Sequence, residues 1–319
     1  MKIKNILSAV CLLLFATCIW AQKSISSESV AIENKDDIST FWKKSKNGKK
    51  LSLLNGEYHI QYVDFYISGN FKKGLPLGAL HYYTTENGTL IAAYKFDARG
   101  LKHGQQRLFY AGGGRKSAFT SVHGKMDRTY EEWHENGNRK LTAEMKGGEY
   151  DGLATAWNEQ GEILSEWRYA NGLRNGKCLT WIYGNDVTNL NEEYYKDGQP
   201  TDTTRFYRLE SDGGRTLQSL TIRGEDNALL KFESFEGDTH SCMEYKEDNR
   251  RLWTQYVRGQ LSAKAAYEGD VLDGECVMYY PGTSRIWKTT KYDKGKLIYQ
   301  EEYSPDGTRI TTGIPEQKQ

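Results

Sequence analysis

The chain has 319 residues, two domains' worth at about 150 residues each, and sets 43 Lys and Arg against 42 Asp and Glu. That balance excludes the basic excess of a nucleic-acid binder and the acidic runs of a solvating tail. Its 32 glycines, 5 prolines and 13% aromatic residues, against usual shares of about 7% Gly and about 5% Pro, exclude a disordered chain and disfavour a helical bundle; many tight turns between aromatic strands produce such a mixture.

In chain order, residues 1–21 come first, with Lys2 and Lys4 ahead of an apolar run from Ile6 to Phe15 and Ala21 before Gln22. A charged start, an apolar stretch too short to span a bilayer and a small terminal residue read as a signal peptide cleaved after Ala21. A rival reading takes Cys18 as the modified cysteine of a lipoprotein, although Thr17 before it is larger than such signals carry. Cleavage removes two lysines and no acids, leaving 41 basic against 42 acidic side chains in a mature chain that is secreted or periplasmic and has no transmembrane segment. Residues 22–55 read as a linker or cap, in which Phe41 and Trp42 tuck over the first strand of the repeat region. Lys43, Lys44, Lys46, Lys49 and Lys50 form a solvated run, with docking on an anionic lipid surface as the alternative.

Residues 56–307 carry an internal period. Gly100, Gly124, Gly148 and Gly172 are spaced by 24, with Gly74 and Gly198 at 26 on either side. Four residues after each stand Gly78, Gly104, Arg128, Gly152, Gly176 and Asp202. Nine residues after each stands an aromatic: Tyr83, Phe109, Trp133, Trp157, Trp181 and Tyr207. The phase becomes irregular near Gly224 and resumes with Gly274 and Tyr279. Second turn signals such as Asn87-Gly88, Asn136-Gly137 and Asp306-Gly307 divide each unit, because Asn, Asp and Gly tolerate the positive φ angles of hairpin turns. The runs between turns are strand-length rather than helix-length. Residues 308–319 read as a disordered polar tail.

The residues Asn136-Gly137, Gly148-Glu149-Tyr150-Asp151-Gly152, Trp157, Gly161, Tyr169, Asn171-Gly172, Asn175-Gly176 and Trp181 resemble the variant MORN repeat of bacterial proteins, some of which are labelled antitoxin-like. The resemblance covers roughly residues 56 to 307, with Arg128 and Asp202 departing from its second glycine. It implies an all-β fold, an elongated array of antiparallel β-hairpins forming a twisted single-layer sheet, and no catalytic residues. Physical reasoning agrees that a lone hairpin is marginal and must stack on neighbours.

The in-phase row Tyr83, Phe109, Trp133, Trp157, Trp181, Tyr207 and Tyr279 reads as the shared core, since each ring buries about 150–250 Å². Trp167, Trp253 and Trp287 fall outside the phase and are the candidate binding residues. No catalytic, cofactor or metal residues are expected. His134 opens no HExxH, and His81 and His134 fall on opposite faces. Glu131-Glu132, Glu192-Glu193 and Glu301-Glu302 are adjacent on strands, so each pair diverges. Cys178, Cys242 and Cys276 sit three residues before an aromatic, so they should face away from the aromatic row as unpaired thiols.

The leading functional expectation is a non-enzymatic scaffold that binds a protein partner or a cell-envelope component. A carbohydrate-binding module using exposed Trp side chains, a hydrolase with a site between distant strands, and neutralisation of a toxin are the alternatives; the export signal argues against the last. Partner identity and oligomeric state are not encoded in any of these features.

Overall fold

The computed structural model describes residues 22–35, 37–224 and 226–313; residues 1–21, read above as a signal peptide, with Cys18, and residues 314–319 lie outside the described residues. The chain divides into two compact units, residues 1–162 and 163–319. The first contains β1 (Lys23–Ser26), β2 (Val30–Lys35), β3 (Ile38–Lys44), β4 (Leu51–Leu53), β5 (Gly56–Gln61), β6 (Phe65–Lys72), β7 (Leu75–Thr84), β8 (Leu90–Phe96), β9 (Gly104–Phe109), β10 (Arg115–Val122), β11 (Lys125–Trp133), β12 (Arg139–Lys146) and β13 (Glu149–Trp157). The second contains β14 (Ile163–Ala170), β15 (Leu173–Arg174), β16 (Gly176–Tyr183), β17 (Thr188–Lys196), β18 (Gln199–Leu209), β19 (Arg215–Arg223), β20 (Leu229–Glu236), β21 (Thr239–Tyr245), β22 (Arg250–Val257), β23 (Gln260–Glu268), β24 (Val271–Tyr279), β25 (Ile286–Asp293), β26 (Lys296–Tyr303) and β27 (Arg309–Gly313). Among the described residues the only helical element is the 3-10 turn Ser27–Ser29.

The fold is all-β and built of repeated hairpins, each strand pairing antiparallel with the next. In the first unit this holds from β5 to β13, and β1 adds to β5 in parallel. In the second, β14 pairs with β15 and β16, and every strand from β16 to β27 pairs with its successor.

The 24-residue period has a physical basis at each end of the hairpins. At one end every leading glycine from Gly74 to Gly198 except Gly100 is the second of two left-handed residues: His123 has φ 49° and Gly124 has φ 92°, the pair that a tight type I′ turn needs. The Gly124 amide then donates to the Lys102 carbonyl at 2.8 Å, Gly148 to Met126 at 2.7 Å and Gly198 to Arg174 at 2.9 Å, tying each turn to the one before. At the other end, the residue after the in-phase aromatic bonds the next repeat. The Tyr110 hydroxyl donates to the Trp133 carbonyl at 2.7 Å, Tyr280 to Tyr303 at 2.6 Å, and His134 Nε2 holds the Trp157 carbonyl at 2.9 Å.

The densest core lies where β2, β3 and β4, a separate three-stranded antiparallel sheet, pack against β5 to β7. Val30, Phe41 and Leu54 from that side meet Tyr58, Ile60, Ile67, Phe71 and Leu80, all buried. Phe41 and Phe71 stand 4.9 Å apart between ring centroids. The backbone closes the same joint, with the Phe41 amide donating to Gly74 at 2.8 Å and the Gly74 amide to Leu54 at 2.9 Å. A Cβ on Gly74 would come within 2.9 Å of the Phe41 carbonyl oxygen, so glycine is required there.

Three sequence expectations need correction. Of the linker-or-cap reading of residues 22–55 the linker half falls: they form four strands, β2 to β4 packing on β5 to β7 through a shared core, and the lysine run lies on β3 and the turn after it. The stretch 308–319 is not all tail, because Arg309–Gly313 pairs with β26 as β27. The in-phase aromatics are not one buried stripe. Trp133 is buried, whereas Tyr83, Phe109, Trp157, Trp181, Tyr207 and Tyr279 are half-buried. The register explains Tyr83: Ile67 opposes Tyr82 and Tyr66 opposes Tyr83, so Tyr83 lies on the face away from the core and stacks on Tyr66 at 5.0 Å. Elsewhere a single layer leaves rings to be covered by basic side chains. Arg115 lies 5.7 Å from the Trp133 ring centroid and Arg215 lies 4.9 Å from that of Tyr207.

Candidate binding groove

Three consecutive strands of the second unit build the site. In register, Gln255 on β22 opposes Ala263 on β23, which opposes Met278 on β24. Two residues along, Trp253 opposes Ala265, which opposes Cys276. Ala263 and Ala265 are both buried. Two alanines on the central strand between larger neighbours leave a trough, because side chains at directly opposed positions share one face and stand only about 5 Å apart.

Trp253, Val257, Leu261, Met278, Tyr280 and Trp287 wall that trough, and Ala263 floors it, enclosing a groove of about 800 Å³. Trp287 owes its place to a bulge between Met278 and Tyr279, where Met278 pairs with Lys288 and Tyr279 with Ile286, so that Trp287 has no direct opposite. It remains 44% exposed, and Met278 and Val257 are exposed beside it. Tyr280 stands 6.5 Å from Trp287 at an interplanar angle of 49°, its hydroxyl fixed by the bond to the Tyr303 carbonyl. Polar groups rim the apolar walls: Gln255, Gln260 and the ion pair between Arg258 Nε and Asp238 Oδ2 at 2.9 Å. An apolar floor with a few convergent donors and acceptors is the usual composition of a ligand site.

Of the candidate tryptophans, the fold therefore brings Trp253 and Trp287 together and adds Tyr279 to the lining. It does not bring Trp167 to them. The Trp167 indole N–H donates to Thr180 Oγ1 at 3.1 Å and the Arg174 guanidinium covers its ring at 3.9 Å from the centroid. Arg174 itself donates to Tyr195 Oη at 3.1 Å. Trp167 thus belongs to a closed packing cluster, in which burial also pushes up the Tyr195 phenol.

The thiols are free: Cys178 and Cys242 are buried and Cys276 is half-buried, and burial raises the pKa of all three. Cys242 opposes Thr254 and so faces away from Trp253. Cys276 is aligned through Ala265 with Trp253 and shares its face. Bulges in β22 to β24 reset the alternation between one hairpin and the next.

Glu192 is the buried carboxylate of this unit. Lys177 Nζ lies 2.6 Å away, with Arg205 at 3.6 Å and Arg215 at 3.7 Å. Burial opposes its charge, but the Lys177 hydrogen bond and charge, joined by Arg215 and Arg205, prevail and hold Glu192 below the ordinary carboxylate range. A carboxylate so paired serves the fold rather than proton transfer.

Sequence reasoning missed Met278, Tyr280, Val257, Leu261 and Ala263. The available signal was Ala263-Lys264-Ala265-Ala266, small residues at alternate positions of a strand between two flanked by large ones.

No family model matches the chain, and no curated protein matches it. Among solved structures, one titled "Crystal Structure of TcdB2-TccC3-TEV" aligns with 87% of this chain and 17% of its own at 10% identity, with a TM-score of 0.19. The chain thus spans less than a fifth of that molecule's length.

Proposed function

We propose that this is an exported, non-enzymatic repeat protein of MORN-like type that binds a protein partner or cell-envelope component. The observation that carries the reading is the groove at Trp253 and Trp287, whose exposed Met278 and Val257 and half-buried Leu261 suit an apolar segment of a polypeptide. Aromatic and Met side chains at the centre of a patch with polar groups at its rim are the composition of protein interfaces. The signal-like start and the repeat phase support export and the MORN-like assignment. A second reading, carbohydrate binding, is favoured by the same two indoles and Tyr280, which offer flat stacking faces beside Gln255 and Gln260.

The test uses the mature chain against envelope extract and against an immobilised glycan panel. Trp253→Ala and Trp287→Ala, each with an unchanged melting temperature, are expected to lose the captured protein. Retention of that capture by both variants refutes the groove as the site, and saturable glycan binding lost in both favours the second reading.

A further inference from the structure

The first unit holds a second constellation that the histidine spacing did not announce. Asp97 follows β8 and opens a turn in which its Oδ1 accepts the amides of Arg99 at 2.9 Å and Leu101 at 3.1 Å, which fixes the carboxylate. Its other oxygen, Oδ2, lies 3.0 Å from His123 Nδ1. His123 stands in the β10–β11 turn, whose Gly124 amide bonds the Lys102 carbonyl, and His103 is the next residue after Lys102. That backbone bond brings the two imidazoles together at 5.0 Å between centroids, 30° apart in plane. One ligand atom from each of Asp97, His103 and His123 can be chosen so that all three lie within 4.8 Å of one another.

Arg99 makes the arrangement informative. Its guanidinium binds Asp97 Oδ2 through Nε at 3.3 Å and Nη2 at 3.2 Å, and Nη2 also touches His123 Nδ1. One imidazole nitrogen therefore faces both a carboxylate oxygen, which needs an N–H, and a guanidinium N–H, which needs a lone pair. It cannot satisfy both at once. The cleft thus sets a carboxylate oxygen and an imidazole nitrogen around one exposed guanidinium, with a second imidazole beside them.

We propose that Asp97, His103 and His123 bind a divalent zinc-class ion, which takes the place held by the Arg99 guanidinium. Two imidazoles and one carboxylate are ligands that zinc accepts, at about 2.0–2.2 Å each, with a fourth position for water. Ligands at such distances stand about 3.4 Å apart; Asp97 and His123 are already at 3.0 Å, and the wider separations, up to 4.8 Å, close by rotation of the exposed imidazoles. The ion links two successive repeats at their turn ends. The sequence expectation of no metal came from seeking ligands repeated along strands, whereas these three come from consecutive turns and the residue between them.

The test titrates the metal-free full chain with Zn²⁺, its thiols alkylated, by calorimetry, and records the visible ligand-field spectrum of Co²⁺ in the same site. One equivalent is expected to bind and to raise the melting temperature. His103→Ala and His123→Ala should each weaken it by at least about tenfold, since loss of even an outer partner of a metal ligand costs about 10- to 100-fold. Arg99→Ala should strengthen it by removing the competing cation, an effect a merely structural arginine would not produce. His59→Ala, on β5 three strands before β8, should change nothing. Absence of saturable binding in both the parent chain and Arg99→Ala, or binding unchanged by His103→Ala and His123→Ala, overturns the assignment.

Discussion

Replacing Phe41 by alanine tests the claim that β2 to β4 form a true second layer. Phe41 is 4% exposed and its ring packs 4.9 Å from that of Phe71, with Leu54 completely buried beside it. Burying about 150–250 Å² of ring at about 25 cal/mol per Å² is worth about 4–6 kcal/mol, and truncations of core phenylalanine cost about 3–5 kcal/mol. The expected loss is therefore about 4 kcal/mol, a large part of the roughly 5–15 kcal/mol that holds a typical domain together. Because the backbone bonds of Phe41 to Gly74 and Leu54 remain available, the loss should fall on the joint between the layers rather than on the hairpins. Native-state amide exchange is the suitable assay, since an array of repeats opens in parts and a single melting curve blends them. Amides of β2, β3 and β4 should exchange at least a hundredfold faster, and those of β20 to β23 should not change. Phe232→Ala, whose ring is 39% exposed on β20, is the control and should cost under about 1 kcal/mol. A Phe41→Ala effect no larger than that control refutes the two-layer account.

Other expectations rest on single residues. Arg128 occupies the second-glycine position of its repeat with φ 70°, so Arg128→Gly should stabilise the chain by about 0.5–1 kcal/mol in urea unfolding, whereas Arg128→Ala should not. Glu192 is held below its unfolded value of 4.5, so its contribution is present above about pH 5 and lost as pH falls through the lower folded value. Glu192→Gln should accordingly flatten the acid limb of the stability profile, and an unchanged slope would show that the Lys177 pair has no such role. Thiol titration of a chain starting at Gln22, which leaves out Cys11 and Cys18, should find three groups after denaturation; in the native state Cys276 should react before Cys178 and Cys242, which are buried.

The leading glycines were legible because a type I′ turn constrains φ so strongly that Asn171-Gly172 or Asp197-Gly198 announces itself. The aromatic phase was legible as position along the hairpin, but not as a face. A residue at a bulge such as Tyr83 or Tyr279 changes sides relative to simple alternation, and only the register decides which. The strands β2 to β4 were hidden because Ser, Lys and Asn predominate around them and Val30, Phe41 and Leu54 are too few to set a period. The groove and the Asp97 cleft were hidden for another reason. Each gathers residues from neighbouring hairpins about 20 or more positions apart, as Asp97 and His123 are, so no single stretch of sequence shows that they meet.

The two ends of the hairpins divide the work of holding repeats together, and that division explains where function can be placed. At the leading-glycine end a backbone tie recurs, as between Gly124 and Lys102, while the side chain before the glycine differs from turn to turn: Asp197 meets Asn175, Arg258 meets Asp238, and His123 meets Asp97. At the opposite end the ties use side chains: Tyr110, His134 and Tyr280 each reach a carbonyl of the next repeat. Those positions are spent on the fold, yet a ring pinned by its hydroxyl presents a fixed flank. Tyr280 is pinned in this way and forms a wall of the groove with Trp287. A ligand met there finds a surface already ordered, so little conformational entropy is lost on binding. Tyr280→Phe separates the two roles: it removes the tie while keeping the ring. Weaker partner binding at an unchanged ring area would locate the contribution of Tyr280 in its fixed position rather than in its contact surface.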